Sequence, residues 1–310
     1  MSHAHEPSDC PGRRDDADAL RSTIEALIAD GALFVANHSG GKDSQAQLIA
    51  LLRQVPREQV IVVHAALDDV EWPGALEHAA EQAQAAGIPF VVARAPKTFF
   101  EMVEHRARTR PDAPCWPSAS IRQCTSDLKR GPIEREVRRY AKAHGFTVIV
   151  NCVGLRAEES PGRARQEVFR RNARGSVAGR TWYDWLPIHA LSERDVFAMI
   201  AEAGQRPHPA YASGNRRLSC VFCIMGSTHD LRNGARQHPE LYERYVRLER
   251  HTGYTMHQSR RSLEEIVGNV SSSDVPASPS AGEVPVLISA PPRSEVVVAC
   301  AVSGSAHSAT

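Results

Sequence analysis

Apolar and polar positions along this chain recur with two different periods, and each change of period marks an element. Leu20, Ile24, Leu27 and Ile28 recur at helical spacing, which predicts a helix ahead of the first strand. Residues 33–37 are a short apolar run and predict strand one. A Gly-containing loop and the amphipathic run Ala46-Gln47-Leu48-Ile49-Ala50-Leu51-Leu52 follow, predicting a helix that ends near Val55-Pro56. Residues 59–65 form an apolar run of the kind a parallel strand shows when both its faces are covered. Residues 74–86 read as a helix stopped by Gly87 at the C′ position. Strand three is predicted at 89–93. An irregular, basic, Pro-containing stretch covers 106–123. A helix follows Pro132, passes Val137 and Tyr140 and ends near Gly145, and strand four covers 147–153.

This alternation predicts an α/β fold, a Rossmann-like doubly wound parallel sheet of about five strands. Past Gly154 the chain is Arg-rich to Arg180, then carries Trp182-Tyr183-Asp184-Trp185-Leu186-Pro187-Ile188, whose aromatics read as core or interface. Ser192 and Asp195 are spaced as a capping box that opens another helix. A further helix is predicted at 239–250. The organisation expected is a disordered start at 1–18, one domain at 19–268 and a disordered low-complexity tail at 269–310. The domain divides into a nucleotide-binding core, 19–190, and a Cys-containing helical C-terminal region, 191–268. Within the Ser-, Ala-, Pro- and Val-rich tail, 286–288 and 296–302 offer at most a marginal hairpin. No internal repeat is visible.

At 310 residues the chain is long enough for one large α/β domain with extensions. No apolar run approaches the roughly 18 residues that would span a bilayer, and the polar start lacks the apolar region of a signal peptide. A cytoplasmic protein with no membrane partner is expected. Its seven cysteines are then thiols or metal ligands rather than disulfides. Net charge is +1 but unevenly spread. Residues 105–180 hold 17 Lys and Arg against 7 Asp and Glu, a balance of +10 that leaves −9 elsewhere. Such a segment attracts phosphorylated molecules. For nucleic acid, a binding surface and a set of solvated helix faces are equal readings.

The chemistry starts at His38-Ser39-Gly40-Gly41-Lys42-Asp43-Ser44, between strand one and its helix. Two glycines let backbone N–H groups close around an anion, and the helix directs its positive end to the same place. Lys42 adds a cation; Ser39 and Ser44 add hydroxyls. The arrangement is a phosphate cradle. It is not a Walker A loop, since the glycines are adjacent and Asp43 follows the lysine. His38 and His64 lie near strand ends beside it and read as structural histidines. The cysteines supply a second chemistry. Cys220-Val221-Phe222-Cys223 is a C-x-x-C pair, Cys124 lies in the patch Arg122-Gln123-Cys124-Thr125-Ser126-Asp127-Leu128-Lys129, and Cys115 lies nine residues earlier. Thiolates at such spacing can share one metal or one cluster, so an iron–sulfur cluster, a structural Cys₄ zinc site and a redox dithiol stand as alternatives. Cys10 and Cys152 read as bland.

The loop Ser39-Gly40-Gly41-Lys42-Asp43-Ser44 resembles the PP-loop of the ATP pyrophosphatases, which split ATP between its α- and β-phosphates. Four further patches agree. They are Asp68-Asp69-Val70-Glu71-Trp72-Pro73, the Cys124 patch, Gly154-Leu155-Arg156-Ala157-Glu158-Glu159-Ser160-Pro161-Gly162-Arg163, and Leu186-Pro187-Ile188 with the helix after it. In this order, over about residues 20–265, they resemble the phosphoadenylyl-sulfate (PAPS) reductase superfamily. That superfamily has an adenine nucleotide alpha hydrolase-like fold. It includes the sulfonucleotide reductases, the ATP-hydrolysing subunit of sulfate adenylyltransferase and the PP-loop component of DNA phosphorothioation systems.

The resemblance implies ATP held by Ser39, Gly40, Gly41, Lys42, Asp43 and Ser44, with Gly154, Arg156, Glu159 and Arg163 contributing. It implies Mg²⁺ on Asp43 or Asp68, and catalytic work by Lys42, Asp43 and Arg156. It favours a [4Fe–4S] cluster on Cys124, Cys220, Cys223 and Cys115, with zinc as the alternative. Retention of the full loop favours ATP over an activated sulfonucleotide. No adjacent Cys-Cys pair and no C-terminal catalytic Cys motif is present, which departs from the adenylyl-sulfate reductases. The expected activity is ATP-dependent adenylation of an acceptor for sulfur transfer, such as DNA phosphorothioation. Nucleic acid would be held by 105–180, and a cysteine desulfurase or thiol reductant would serve as source of sulfur or electrons. A PAPS or adenylyl-sulfate reductase that produces sulfite, and a nucleotide-binding adaptor with structural zinc, are the alternatives.

Overall fold

The computed structural model describes residues 11–268. The segment 1–10 and the tail 269–310, with its marginal hairpin, lie outside the described residues. The expected disorder over 1–18 is corrected from Pro11 onward. Helix α1 spans Pro11–Ala29, and a proline in the first turn costs no helical hydrogen bond, because that N–H has no intrahelical partner.

Strands β1 (Leu33–Asn37), β2 (Val60–Ala66), β3 (Phe90–Arg94) and β4 (Val148–Cys152) fall within a residue or two of the apolar runs that predicted them. Two more strands complete the sheet, β5 (Phe169–Arg171) and β6 (Thr181–Trp185). Their order is β3-β2-β1-β4-β6-β5. The pairs β1–β2, β1–β4, β2–β3 and β4–β6 are parallel, and β5 lies antiparallel against β6 at the edge. The sheet is therefore mixed and one strand wider than expected. β5 is three residues long and half charged at its tip (Phe169-Arg170-Arg171), too short to register as an apolar run.

Alternate residues of the central strands face opposite layers, as strand geometry dictates. Phe34, Ala36, Val60, Val62 and Val150 pack with Ile24 and Leu27 of α1, Leu48 and Leu51 of α2 (Lys42–Leu52) and Ala83 of α3 (Ala75–Ala86). Leu33, Val35, Ile61, Val63 and Ile149 pack instead on Val137 and Ala141 of a helix at Gly131–Ala143. Helices thus cover both faces. The order reverses between β1 and β4, since the chain runs from β1 outward to β3 and then returns to β4 on the other side. Ligands bind at such a switch point, outside the carboxyl ends of the strands.

The rest of the described residues lie against those strand ends. Helix α4 (Phe99–Thr109) is opened by a capping box between Thr98 and Glu101. Helices at Glu193–Glu202, Thr228–Gln237, Pro239–Thr252 and Leu263–Val267 follow. The helix Glu193–Glu202 packs on α2 through Val196 and Ile200, and an aromatic cluster of Trp72, Phe99, Phe100, Trp116, Phe222 and Tyr245 joins the others to the loop after β2. The backbone joins them too. Val221 N–H donates to Val70 O at 2.9 Å, and Glu71 bridges Cys220. No described helix is long and apolar enough to cross a membrane.

Candidate active site

β1 ends at Asn37, and the next residue fixes the loop. His38 N–H continues the sheet pairing to Val63 O at 2.9 Å. Its ring is buried. Gly40 N–H donates to His38 Nδ1 at 3.1 Å, so Nδ1 is the acceptor and Nε2–H donates to Gln82 Oε1 at 3.1 Å. Burial holds the His38 pKa down to about 3 despite the Gln82 bond, with His64 and His78 pushing the same way as burial. The neutral imidazole is therefore a fixed clamp on the loop, in line with the structural reading. His64 Nδ1–H in turn donates to His38 O at 2.8 Å, and its Nε2 faces Glu71 Oε2 at 3.2 Å.

Gly40 has φ +77°, and a Cβ there would meet Ala75 O at 2.6 Å. Both conformation and space demand glycine. Gly41 is the N-cap of α2 with no side-chain cap. Ser44 Oγ donates to Gly41 O at 2.8 Å and accepts from Ser39 N–H at 3.2 Å, so the hydroxyl that might have reached a ligand braces the loop. Lys42 N–H donates to the Tyr211 hydroxyl at 2.9 Å, whose pKa burial raises.

The loop is tied to the segment after β4. Gly154 packs so closely on Asp43 that a Cβ would lie 2.8 Å from its carbonyl oxygen. Arg156 is 4% exposed, and its Nε donates to Asp43 Oδ1 at 2.6 Å while Nη1 donates to Glu158 Oε2 at 2.5 Å. Arg156 N–H donates to Glu159 Oε2 at 3.1 Å, and Glu159 pairs with Arg163. Burial pushes the Glu159 carboxyl up, yet its bond from Arg156 N–H and the nearby Arg163 and Arg217 leave it below the usual range. Lys42 is 3% exposed, with Nζ 3.2 Å from Glu193 Oε1 and 3.5 Å from Asp43 Oδ2. The rings of Tyr211 and Phe197 lie 5.3 and 5.8 Å from the same ammonium. The structure thus gathers Ser39, Gly40, Gly41, Lys42, Asp43, Ser44, Gly154, Arg156, Glu159 and Arg163 at one switch point.

Asp68 has different company. It sits on a left-handed backbone with φ +49°, is exposed, pairs with Arg94, and lines a separate cavity of about 630 Å³. Asp43, which bonds Arg156, is the carboxylate the structure places in the loop network.

The thiols form a second centre. Lys129 lies near Cys220, Glu71, Cys223 and Cys124. Burial alone would lower its pKa, but those groups together raise it. Burial pushes the Cys220 and Cys124 thiols up, and Lys129 pulls both back. Cys220 and Cys223 also line a small cavity with Arg217 and Ser219. Arg217 reaches Glu159 of the first centre at 4.0 Å. Cys115 is buried beside Trp116 and near Thr252 and Arg106, its pKa raised by burial. Cys124, Cys220 and Cys223 are the thiols that act on Lys129. Among the described residues no set of three or more Cys, His, Asp or Glu side chains is arranged to hold a metal ion.

Sequence reasoning did not single out Glu193, Tyr211, Arg217, Glu71 or Lys129 for these roles. Glu71 and Lys129 lie inside patches already marked, and Glu193 directly follows a recognised capping serine. Arg217 flanks the C-x-x-C pair, three residues before Cys220, and Tyr211 carries no local signal.

The phosphoadenosine phosphosulfate reductase domain matches residues 34–225. An uncharacterized 37.8 kDa protein of Escherichia phage 186 is 27% identical over 135 residues, which is 44% of this chain and 39% of the phage protein. The match therefore spans about two fifths of that relative's length. Among solved structures, a PAPS reductase from Candida auris in a phosphate complex covers 70% of this chain and 98% of its own, at 12% identity and TM-score 0.42. A Candida glabrata FMN adenylyltransferase in complex with FAD and inorganic pyrophosphate covers 62% and 55%, at 11% identity and TM-score 0.39.

Proposed function

The chain belongs to the phosphoadenosine phosphosulfate reductase family, and on that premise we propose that it is an ATP-dependent enzyme that adenylates an acceptor for sulfur transfer. The observation that carries this reading is the Lys42–Asp43–Arg156 network at the head of α2. An acceptor oxygen attacks the α-phosphorus of ATP. The bond to the β-phosphate bridging oxygen breaks, and pyrophosphate leaves with that electron pair. Charge grows on the pyrophosphate, and cations aimed at it lower the barrier. Lys42 is a buried ammonium one residue from the glycine turn, and a triphosphate would compete with Glu193 for it. Arg156 fixes the Asp43 carboxylate. Asp43 is the residue that would hold Mg²⁺, a hard cation that takes carboxylate and phosphate oxygens and neutralises their charge.

A sulfur nucleophile then displaces AMP from the adenylated acceptor. Its sulfur would come from a cysteine desulfurase persulfide, with a thiol reductant supplying the two electrons that release it as a sulfide-level nucleophile. Nucleic acid fits as the acceptor through the basic segment 105–180, as in DNA phosphorothioation. Three neighbouring thiols suit the donor chemistry of an iron–sulfur cluster. Cys124, Cys220 and Cys223 would hold a [4Fe–4S] cluster, which supplies sulfur-binding and redox chemistry when present. Lys129 would offset the negative charge of the thiolates.

The deciding assay uses anaerobically purified protein with ATP, PAPS and adenylyl sulfate, each with thiol reductant and DNA. Mg²⁺-dependent AMP and pyrophosphate from ATP is the expected result, falling steeply with salt if DNA is the acceptor. Rapid sulfite from either sulfonucleotide with no pyrophosphate from ATP would install the reductase reading. Stoichiometric zinc with neither activity would install the adaptor.

A further inference from the structure

A cavity of about 480 Å³ opens beside the end of β3, at the sheet edge two strands from the β1 loop. Its volume is that of a small-molecule site. One wall is a face of α4, where Met102, His105, Arg106 and Thr109 recur at the spacing that aligns side chains on a helix. Lys97, from the loop after β3, and Arg110 add two more cations.

The charge of this cavity is not cancelled from within. Arg106 is held by Nε to Pro114 O at 3.0 Å and by Nη1 to Gln123 Oε1 at 2.8 Å, both neutral acceptors. Those bonds orient the guanidinium and leave its charge in place. Arg110 has a 3.4 Å contact to Asp112, with both side chains largely exposed, so solvent screens the pair. Asp127, the one acid in the lining, accepts from Ser126 Oγ at 2.6 Å and keeps its charge, so one carboxylate stands against the three cations Lys97, Arg106 and Arg110. Met102, Leu128 and Pro96 give the cavity apolar surface as well. Cations beside an apolar wall suit an anion that carries a ring or chain.

We propose that this cavity is a second ligand site, separate from the β1 loop, that takes a nucleoside phosphate. The phosphate would lie against Lys97, Arg106 and Arg110, and the nucleoside against Met102, Leu128 and Pro96. The same chemistry is offered by a free mononucleotide and by one unit of a single strand, and the two probes below separate these sources.

The experiment titrates the full chain with cytidine 5′-monophosphate and, separately, with a short oligodeoxythymidylate. The charge reversal Lys97→Glu/Arg110→Glu lies on exposed side chains and is expected to weaken binding about tenfold or more. Lys97→Met/Arg110→Met keeps most of each stem and should give a smaller loss in the same direction. Lys42→Ala should leave both probes' affinities unchanged. Thermal midpoints and circular dichroism check that each variant is folded. Loss for the monomer assigns a mononucleotide site, and loss for the oligomer alone assigns a strand-binding site. No binding of either probe to the wild type, binding indifferent to both double variants, or binding removed by Lys42→Ala would overturn the proposal.

Discussion

Around Lys42 every buried cation faces a carboxylate: Lys42 meets Asp43 and Glu193, and Arg156 meets Asp43 and Glu158. Around Lys129 the balance differs, with one ammonium amid Cys124, Cys220, Cys223 and the single carboxylate Glu71. The first centre is locked by full ionic bonds between two loops at adjacent strand ends. The second gathers groups from three separate segments, and burial pushes its Cys124 and Cys220 thiols toward the neutral form. The first needs no added group to balance its charge. In the second, Lys129 and Glu71 cancel while the thiols are neutral, and thiolates, which metal ligation requires, would add negative charge that a bound cation offsets. Arg217 connects the two through Glu159.

The sharpest way to break this comparison is at the thiols. In anaerobically purified protein, Cys124→Ser, Cys220→Ser and Cys223→Ser should each abolish the visible thiolate-to-iron absorbance and the iron content. Cys115→Ser should leave both intact. Loss in all four variants would return Cys115 to the ligand set.

Next in size is Arg156→Ala. It leaves the partly buried Asp43 side chain and the exposed Glu158 without their shared buried cation and should cost about 2 kcal/mol in denaturant unfolding. Nucleotide affinity should fall with it. Arg156→Lys should recover only part, because an ammonium cannot fork between two carboxylates. A cost below about 1 kcal/mol would mean that solvent screens the network.

His38 predicts a pH dependence confined to the first centre. Its folded-state pKa of about 3 lies below the unfolded value near 6.5. Above 6.5 both states are neutral there and its contribution is complete. As pH falls from about 6.5 toward 3 the unfolded state binds a proton that the folded state refuses. Stability should drop by about 1.4 kcal/mol per pH unit from this group. His38→Asn should flatten that limb of the stability profile, and an unaltered slope would refute the buried neutral clamp.

The smallest effect expected is at Glu193. Its side chain is half exposed, so the ion pair to Lys42 is weak. Glu193→Gln should tighten ATP binding by about threefold in calorimetry, since triphosphate would no longer compete with a carboxylate. Weaker binding would show that Glu193 supports the loop rather than rivals the ligand.

Legibility varied with how local each signal was. β1 to β4 were readable because each is a short apolar run between turn residues. Ser192 with Asp195 announced a helix start, and the capping box forms. Helix α4 was missed although Thr98 and Glu101 offered the same signature, because the basic residues from Arg106 drew attention to an irregular stretch. Helix Thr228–Gln237 was missed too. It is polar except for a narrow stripe, although Ser227 caps it. β5 was missed because an edge strand of three residues has no period to read.

The sequence by itself determined the strand-loop-helix at residues 33–52, which rests on backbone conformation and neighbours a few residues away; the close approach of Ala75 that also demands glycine at 40 came from the tertiary structure. It also marked the segments that meet at the strand ends, since parallel strands send their following loops to one side of the sheet. Only the tertiary structure decided which groups touch. That Asp43 takes Arg156, that Asp68 takes Arg94, that Glu193 reaches Lys42 and that Cys124, Cys220 and Cys223 share Lys129 all depend on side chains converging from residues far apart in the chain. Ion pairing and burial are set by distances in space, and spacing along the chain fixes those only within one element.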